Sequence, residues 1–190
     1  MGKSIFAEKS DYEVYGSFLE GDEDALEVLV ERFGNSLTLY IDGYIHDVHE
    51  AEDLMIDLFA YLIAKRPRIR EGGVKAYLYK AARNLAIRCA QKRRRNAFSF
   101  EELQSEPESD ILVEAVVQTG ERREILHLCM GRLSPDYREA LYLVYFEGMK
   151  HAEAAAVMRK SEKQIADLVY RGRKSLRGHL EREGVTSWQV

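Results

Sequence analysis

The stretch VKAYLYKAARNLAIRCAQKRRR, residues 74–95, predicts a helix that buries one face and exposes cations. Apolar residues recur three and four positions apart, as they do along one side of a helix: Val74, Tyr77, Leu78, Ala81, Ala82, Leu85, Ala86 and Cys89. Basic residues fall on the other side and beyond the end of the apolar pattern: Lys75, Lys80, Arg83, then Lys92, Arg93, Arg94 and Arg95. This arrangement suits contact with a phosphate backbone. A soluble helix whose basic end complements its own dipole would show the same pattern.

The composition is that of a helix-prone globular chain rather than a disordered one. Of its 190 residues 46% are hydrophobic and 32% charged, which suits one domain or two small ones. Cys89 and Cys129 each lie in an apolar pattern, which predicts buried thiols in a reducing compartment rather than a disulfide. The chain has no apolar run of about 18 residues and no signal-peptide core at its N-terminus. We therefore expect no membrane insertion and a cytoplasmic location.

The net charge of −4 conceals four blocks of alternating sign. Residues 1–64 carry a net charge of −12, residues 65–95 carry +11, residues 96–121 carry −7 and residues 122–190 carry +4. A polyanion responds to the local potential, because physiological salt screens charges beyond roughly 8 Å. The acidic average therefore does not exclude nucleic acid as a partner. The alternating blocks predict weak binding of the isolated protein to duplex DNA, since the acidic blocks oppose the basic ones.

A long helix is predicted to precede the opening stretch. It begins at Asp22 or Asp24, either of which can cap it, and Gly34 and Gly43 are candidate interruptions. Its apolar side is expected to be buried: Ala25, Leu26, Leu29, Val30, Phe33, Leu37, Tyr40, Ile41, Tyr44 and Ile45.

The next predicted helix contains the motif EAEDLMIDLF, residues 50–59. Its buried side is expected to hold Ala51, Leu54, Met55, Leu58, Phe59, Leu62 and Ile63. The opposite side presents Asp53, Asp57, Ala60 and Ala64, with Ile56 at its edge. Two carboxylates one turn apart repel each other mildly, so they do not stabilise an isolated helix. This face is either a protein-binding surface aimed at a basic partner or an ordinary solvated face.

Pro67 ends that helix, and residues 66–73 form a short basic loop with two glycines. Beyond residue 96 the composition changes, because the following segment has no Lys or Arg and several acidic residues. It predicts a linker with a helix near residues 110–117. The expected organisation is all-α: a helical bundle at residues 1–96, an acidic linker at 97–121 and a second helical domain at 122–190.

The second domain is predicted to contain short helices. Ser134 followed by Pro135 is a cap and a first-turn proline, and they begin a helix that ends at Gly148. An alanine-rich helix follows from about residue 151 to residue 158. Ile125, Leu128 and Cys129 begin the first helix of this domain, and the helix that follows Ser134 is expected to bury Ala140, Leu141 and Val144.

The last helix begins with a capping box, in which Ser161 is the cap and Gln164 lies three residues later. It is expected to bury Ile165, Leu168, Val169, Gly172 and Leu176, and to expose Lys163, Gln164, Asp167, Tyr170, Arg171 and Lys174. Two helices joined by a tight turn, the second long and basic, describe a helix-turn-helix. Gln164 can read a base edge and the cations suit phosphates. A protein-docking helical domain would show the same pattern of buried residues without needing Gln164 or the basic face.

In this order the motifs resemble those of a bacterial RNA polymerase sigma factor of the extracytoplasmic-function group. Residues 50–59 resemble the family's core-binding helix, and residues 77–95 resemble its promoter-melting helix. LSPDYREALYLVYFEGMKHAEAAAVM, residues 133–158, with the helix that follows, resembles its C-terminal DNA-binding domain. The sequence departs from the family's common residues at five positions. The family commonly has Gln in place of Ile56, Trp in place of Tyr77 and Gly in place of Arg159. In the last helix it commonly has Lys and Arg in place of Ala166 and Leu168.

The resemblance implies core RNA polymerase and double- and single-stranded promoter DNA as partners, with no cofactor and no metal. Polymerase contact would come from Asp53, Ile56, Asp57 and Ala60. Recognition and melting of the minus-ten element would come from Arg66, Arg68, Arg70, Lys80, Arg83, Asn84, Arg88, Lys92 and Arg93. Reading of the minus-thirty-five element would come from Ser161, Lys163, Gln164, Asp167, Tyr170, Arg171 and Lys174. The linker would occupy the RNA path, and an anti-sigma partner would cover these surfaces.

Two other classes of function are weighed against this one. A helix-turn-helix regulator that never joins polymerase would leave the acidic face of residues 50–65 unexplained. An enzyme would need a phosphate loop, a nucleophile–base signature or a metal set, and the sequence offers none, so no catalytic residue is expected. His46, His49 and Glu50 lack further ligands at a suitable spacing, so we expect them to lie solvated at a corner between helices.

Overall fold

The computed structural model of the chain describes residues 6–97 and 120–185, and the regular structure within those ranges is helical, without strands. The predicted all-α class is therefore confirmed. The chain divides into two compact units, Met1–Gln104 and Ser105–Val190. Most of the predicted linker, including the helix predicted near residues 110–117, lies outside the described residues. The domain boundaries therefore stay a prediction.

The described residues of the first unit, 6–97, form four α-helices: α1 at Asp11–Leu19, α2 at Glu23–Ile45, α3 at Val48–Lys65 and α4 at Val74–Ala97. Helix α2 is at the centre of the packing, because it contacts each of the other three helices. Its central residues are buried, with Leu29, Leu37 and Ile41 fully enclosed. Because α2 lies between its neighbours, α3 and α4 each turn one face toward it and leave another face to solvent.

The first helix, α1, is absent from the sequence predictions. Ser10 and Glu13 form a capping box: the Ser10 hydroxyl oxygen accepts from the Glu13 N–H at 3.3 Å, and Glu13 Oε2 accepts from the Ser10 N–H at 2.8 Å. The sequence Ser-Asp-Tyr-Glu at residues 10–13 carries this signal, so the start of α1 could have been predicted. Val14, Tyr15 and Phe18 form its buried side.

The predicted interruptions of α2 are wrong, because the helix runs unbroken over 23 residues. Asp22 is its N-cap and accepts from the Asp24 N–H at 3.0 Å. Gly34 faces the Met55 side chain of α3, and a Cβ placed at Gly34 would meet Met55 Sδ at an ordinary 3.8 Å. Glycine therefore weakens α2 locally, but the packing of its apolar side maintains the helix.

Several burial predictions made from the helical period are also wrong. Val30 and Ile63 are 36% and 45% exposed, whereas Tyr79, which lies off the predicted stripe, is fully buried. The Tyr79 ring packs against that of Tyr40, with 5.1 Å between centroids. A helical period identifies one side of a helix but not which neighbours cover its edges. Other residues predicted as buried are half-buried: Leu26, Tyr44, Leu54, Met55, Tyr77, Ala81, Leu85, Cys89, Val144, Leu168 and Leu176.

The second unit contains α5 at Gly120–Gly131, α6 at Pro135–Leu141, a π-helical segment at Tyr142–Phe146, α7 at His151–Met158 and α8 at Glu162–Arg182. The predicted helix that ends at Gly148 is thus α-helical only as far as Leu141. It continues as a π-helical turn, and Gly148 follows with a φ of +64°. Arg138 secures the start of α6, since its guanidinium donates to the carbonyls of Met130 and Leu133 at 3.0 and 3.1 Å.

A buried carboxyl lies near the end of α2. Asp42 is fully buried, and neither of its oxygens makes a hydrogen bond to any residue that the structure describes. Burial raises the pKa of the Asp42 carboxyl, and the charge of the nearby His46 opposes that rise less strongly. The folded state therefore holds this proton at a pH where the unfolded chain has already released it.

Asp42→Asn is expected to stabilise the protein at pH 7, by roughly 1 kcal/mol, because it replaces a carboxyl whose ionisation opposes folding. A raised carboxyl pKa lowers stability as the pH rises from the unfolded value through the folded value. The gain should therefore shrink as the pH falls and should vanish below about 4, where the carboxyl is protonated in the unfolded chain as well. Urea unfolding at several pH values measures it, and a gain that does not vary with pH would contradict this explanation.

Candidate nucleic-acid and protein interfaces

One face of α3 combines acidic and apolar residues at the surface. Asp53, Ile56, Asp57 and Ala60 are all exposed, as predicted, and Ile56 is 59% exposed. Ile63, predicted to be buried, is exposed as well and lies one heptad after Ile56. We call these five residues the acidic-apolar face. An apolar strip at helical spacing between carboxylates can be buried against a partner helix, whereas an ordinary solvated face has no need of it.

The loop between α3 and α4, residues 66–73, displays three exposed arginines, Arg66, Arg68 and Arg70. It begins with a strained residue, since Arg66 has a φ of +41° and a ψ of +56°. The Arg66 N–H donates to the Leu62 carbonyl at 3.0 Å and so closes the last turn of α3. We call residues 66–73 the basic loop. Tyr15 and Phe18 of α1 contact it, a support that sequence reasoning missed because the contacts join residues distant in the chain.

Cations continue from the basic loop along α4. Lys80, Arg88 and Lys92 are exposed, whereas Arg83 and Asn84 are half-buried. The predicted minus-ten residues thus follow one another along the loop and the helix in the first unit. Such a row of cations can track a phosphate backbone.

Arg93 has internal partners. Its Nη1 donates to the Ile45 carbonyl, the last of α2, at 2.9 Å. Its Nη2 donates to Asp47 Oδ2 at 2.8 Å and also contacts the Glu50 carboxylate. Asp47 is the N-cap of α3, and hydrogen bonds from the Glu50 N–H and from Arg93 hold the pKa of its carboxyl below the ordinary value. Arg93 thus joins three helices, and its predicted contact with DNA stays a prediction.

Arg93→Gln is expected to lower the free energy of unfolding by about 1 kcal/mol, which is less than is usual for hydrogen bonds to charged groups, because the side chain is 45% exposed and water screens it. Urea unfolding followed by circular dichroism measures the change. Arg95→Gln serves as the matched control, since Arg95 is an exposed cation at the same end of α4. Equal losses in the two variants would show that Arg93 does not hold this corner together.

In the second unit, α7, a short turn and α8 have the arrangement of a helix-turn-helix. Arg159, where the resembled family commonly has glycine, adopts the left-handed conformation itself, with a φ of +54° and a ψ of +44°. Lys160 in the turn forms an ion pair with Asp136 of α6 at 3.0 Å. Gly172 lets α8 approach α6 closely, because a Cβ there would lie 3.3 Å from the side chains of Leu141 and Tyr137.

The predicted recognition residues lie on one exposed face of α8. Tyr170 is 71% exposed, and its exposed neighbours are Lys163, Gln164, Asp167, Arg171 and Lys174. We call these six residues the recognition face. The predicted capping box is confirmed, with Gln164 Oε1 accepting from the Ser161 N–H at 2.8 Å and Ser161 Oγ accepting from the Gln164 N–H at 3.2 Å. Bidentate reading of adenine needs both the amide oxygen and the amide nitrogen, and the cap already engages the oxygen, so the amide nitrogen is the atom that the cap leaves unengaged.

Neither a metal cluster nor a membrane-spanning helix is found in the part of the chain that the structure describes. No group of three or more His, Cys, Asp or Glu residues there could hold a metal ion. None of the helices there is long and apolar enough to cross a bilayer. His49 lies at the corner between α2 and α3 with its side chain 92% exposed.

A chain that contains both a helix-turn-helix unit and a second helical unit with basic and acidic surfaces is typical of a class of DNA-binding transcription proteins. Family models place the chain within that class. The model described as Sigma-70 region 2 matches residues 29–96, and the one described as Sigma-70, region 4 matches residues 123–176. The two matches cover 122 of the 190 residues.

The chain is also similar to individual sigma factors. It is 25% identical over 157 residues to the ECF RNA polymerase sigma factor SigM of Bacillus subtilis (strain 168), covering 83% of this chain and 96% of that protein. It is 22% identical over 191 residues to the RNA polymerase sigma-H factor of Pseudomonas aeruginosa, covering 90% of this chain and 94% of that protein. The chain belongs to the sigma-70 family, within its extracytoplasmic-function group.

Two solved structures share the fold. One is the sigma factor RpoE of Bartonella quintana in complex with the anti-sigma factor NepR, with a TM-score of 0.67 and 22% identity over 82% of this chain and 96% of that one. The other is CnrH in complex with the cytosolic domain of CnrY, with a TM-score of 0.63 and 20% identity over 90% of this chain and 97% of that one. At these identities the likeness supports the all-α, two-unit architecture.

Proposed function

We propose that this protein is an alternative sigma factor that binds core RNA polymerase in the cytoplasm and directs promoter-specific initiation of transcription. One observation carries the proposal: the first unit presents an acidic-apolar face and a row of cations at once, and the second unit presents a helix-turn-helix. A protein that only binds DNA has no use for the acidic-apolar face. A protein that must hold polymerase and DNA together needs all three.

The acidic-apolar face is proposed to dock on a basic helical surface of the polymerase. Ile56 would be the anchor, because a side chain 59% exposed in the free protein has apolar area to bury. Asp53 and Asp57 flank it and would pair with cations of the partner. Such charges steer association and fix the orientation of the complex.

The basic loop and α4 are proposed to recognise the minus-ten element and to open the duplex. The exposed cations would hold the phosphates, and the loop would capture a base turned out of the stack. Binding energy and stacking would supply the work, so the proposal includes no catalytic residue, no cofactor and no ATP. The residues assigned to this step are Arg66, Arg68, Arg70, Lys80, Arg83, Asn84, Arg88, Lys92 and Arg93.

The recognition face of α8 is proposed to enter the major groove at the minus-thirty-five element. Lys163, Arg171 and Lys174 would contact phosphates or guanine edges, and Ser161 lies at the end that reaches the groove first. Gln164 would act only as a donor while it caps the helix. The acidic segment between the units is proposed to follow the RNA path through the polymerase.

An anti-sigma factor is proposed as a further partner. The related RpoE and CnrH were solved with the anti-sigma factor NepR and with the cytosolic domain of CnrY. A polypeptide that covered the acidic-apolar face would keep this protein from polymerase, since the same residues cannot bind two partners at once.

Association with core polymerase separates this function from that of a helix-turn-helix regulator. The purified chain and core polymerase are passed together through a size-exclusion column, and a duplex enriched from random DNA is then offered to the complex. The proposal expects co-elution with polymerase and specific DNA binding only by the complex. Specific duplex binding by the free protein, without co-elution, would favour the regulator instead.

A further inference from the structure

Helix α1 contacts the first two residues of the basic loop, Arg66 and Pro67. The Tyr15 hydroxyl donates a hydrogen bond of 2.6 Å to the Pro67 carbonyl oxygen, across 52 positions of sequence. The Arg66 guanidinium lies over the Phe18 ring, 5.3 Å from its centroid. Tyr15 and Phe18 are themselves buried, at 1% and 4% exposure, so both contacts start from fixed points.

These two contacts fall where the backbone needs support. Arg66 is a non-glycine residue in the left-handed region, a conformation that persists only when its surroundings hold it. The cation–π contact holds its side chain, and the hydrogen bond to Pro67 holds the next carbonyl. The direction in which the chain leaves α3 is therefore set by α1.

The donor remains available at any pH relevant to transcription. Burial raises the pKa of Tyr15 to about 12, with the neighbouring Tyr77 adding to the shift and the Arg66 charge opposing it. The hydroxyl therefore keeps its proton.

The far end of the basic loop is fixed by its own backbone. Gly72 has a φ of +70°, and the Gly73 N–H donates to the Arg70 carbonyl at 2.9 Å in a tight turn. A Cβ at Gly73 would lie 3.1 Å from that carbonyl oxygen, so the turn favours glycine there. The Gly73 carbonyl then accepts from the Tyr77 N–H at 2.9 Å in the first turn of α4. Arg68 and Arg70 are thus displayed from a short span held at both ends.

We propose that Tyr15 and Phe18 are positioning residues for the capture of minus-ten bases, acting through the basic loop rather than by touching DNA. The inference rests on the proposed function, in which this loop binds the opened strand. A loop held in its binding conformation loses less entropy when the strand arrives, and a misplaced one captures bases less selectively. Helix α1 thereby acquires a role in promoter opening.

Tyr15→Phe tests the proposal, because it deletes the hydroxyl and retains the buried ring. The holoenzyme is assembled on a promoter selected by the wild-type protein from random DNA, and permanganate reactivity of unpaired thymines reports opening. Loss of one buried hydrogen bond should reduce opening about three- to tenfold. It should also flatten the preference among bases at the captured position. Tyr44→Phe is the matched control, since it removes a part-buried hydroxyl that bonds Tyr40 at 3.4 Å, elsewhere in the unit.

Phe18 provides a second test with a conservative rescue. Phe18→Leu removes the aromatic face beneath Arg66 and should reproduce the loss of base preference, whereas Phe18→Tyr keeps that face and should restore it. If Tyr15→Phe and Phe18→Leu leave base preference unchanged, or if the control Tyr44→Phe flattens it as much as they do, α1 has no positioning role. If the wild-type protein opens no promoter with core polymerase, the proposed function itself fails, so the two failures are distinct.

Discussion

Replacing both Asp53 and Asp57 with lysine is expected to abolish binding to core RNA polymerase. The two carboxylates are exposed beside Ile56 and Ala60, and no reversal at these sites disturbs a buried contact within the described unit. The double reversal would set like charges against a basic partner surface, which costs several kcal/mol, or at least about a hundredfold in affinity. Circular dichroism should show unchanged helical content, because both positions are on the solvent side of α3.

The control for this variant reverses two carboxylates where α1 ends and α2 begins, since Glu20 follows α1 and Glu23 is the first residue of α2. Glu20→Lys with Glu23→Lys makes the same change of charge in the same unit, at exposed positions away from the α3 sequence. It is expected to retain polymerase binding within a fewfold, as a distant surface pair screened by salt should. Undiminished binding by the Asp53 and Asp57 variant would contradict the docking face. Equal loss in both variants would mean that net charge matters and the face does not.

Reversing Lys163 and Arg171 on the recognition face is the second change with a large expected effect. Both side chains are exposed on one side of α8, so glutamate at these positions should leave the buried residues Ile165 and Val169 in place. Each lost contact with a base edge or phosphate costs about 1–3 kcal/mol, and repulsion adds to it. Transcription from promoters that depend on the minus-thirty-five element should therefore fall at least about a hundredfold. Binding to core polymerase should persist.

A salt titration distinguishes a groove contact from a general effect of charge. The slope of log affinity against log salt should fall by about 2 when two phosphate contacts are lost. Lys150→Glu with Arg182→Glu alters two exposed cations of the same unit outside the recognition face. Its slope and promoter preference should remain close to those of the wild-type protein. A slope that falls equally in both variants would argue against groove binding by α8.

Local signals in the sequence were sufficient to predict most of the helices. The capping box at Ser161 and the cap at Asp22 act within one turn of the chain, so their residues determine the outcome directly. Helix α1 begins with a capping box of the same kind, so its start could have been predicted as well. Its contacts with other helices depend on the fold and could not. What could not be predicted depends on neighbours distant in sequence. Tyr79 is buried because the ring of Tyr40 packs against it, and the residue pattern of α4 alone cannot predict that contact.

The candidate sites divide in the same way. Exposure of the α3 carboxylates follows from the period of that helix, and it was predicted. The engagement of Arg93 with Ile45 and Asp47 joins residues 48 and 46 positions apart, so sequence reasoning grouped Arg93 with the exposed cations instead. Gln164 shows a conflict between two roles that were both predicted, since the cap uses the oxygen that a bidentate base contact would need.

Transcription by core polymerase on a library of random promoters tests the central claim most directly. The purified protein is added or omitted, and transcript starts are mapped. The proposed function predicts starts that appear only with the protein and lie downstream of two sequence motifs at a constant spacing. The motif nearer the start should lose its preference in Tyr15→Phe, and the farther one in the Lys163 and Arg171 variant. Polymerase that makes no protein-dependent starts, while the protein alone selects a duplex, would contradict the claim.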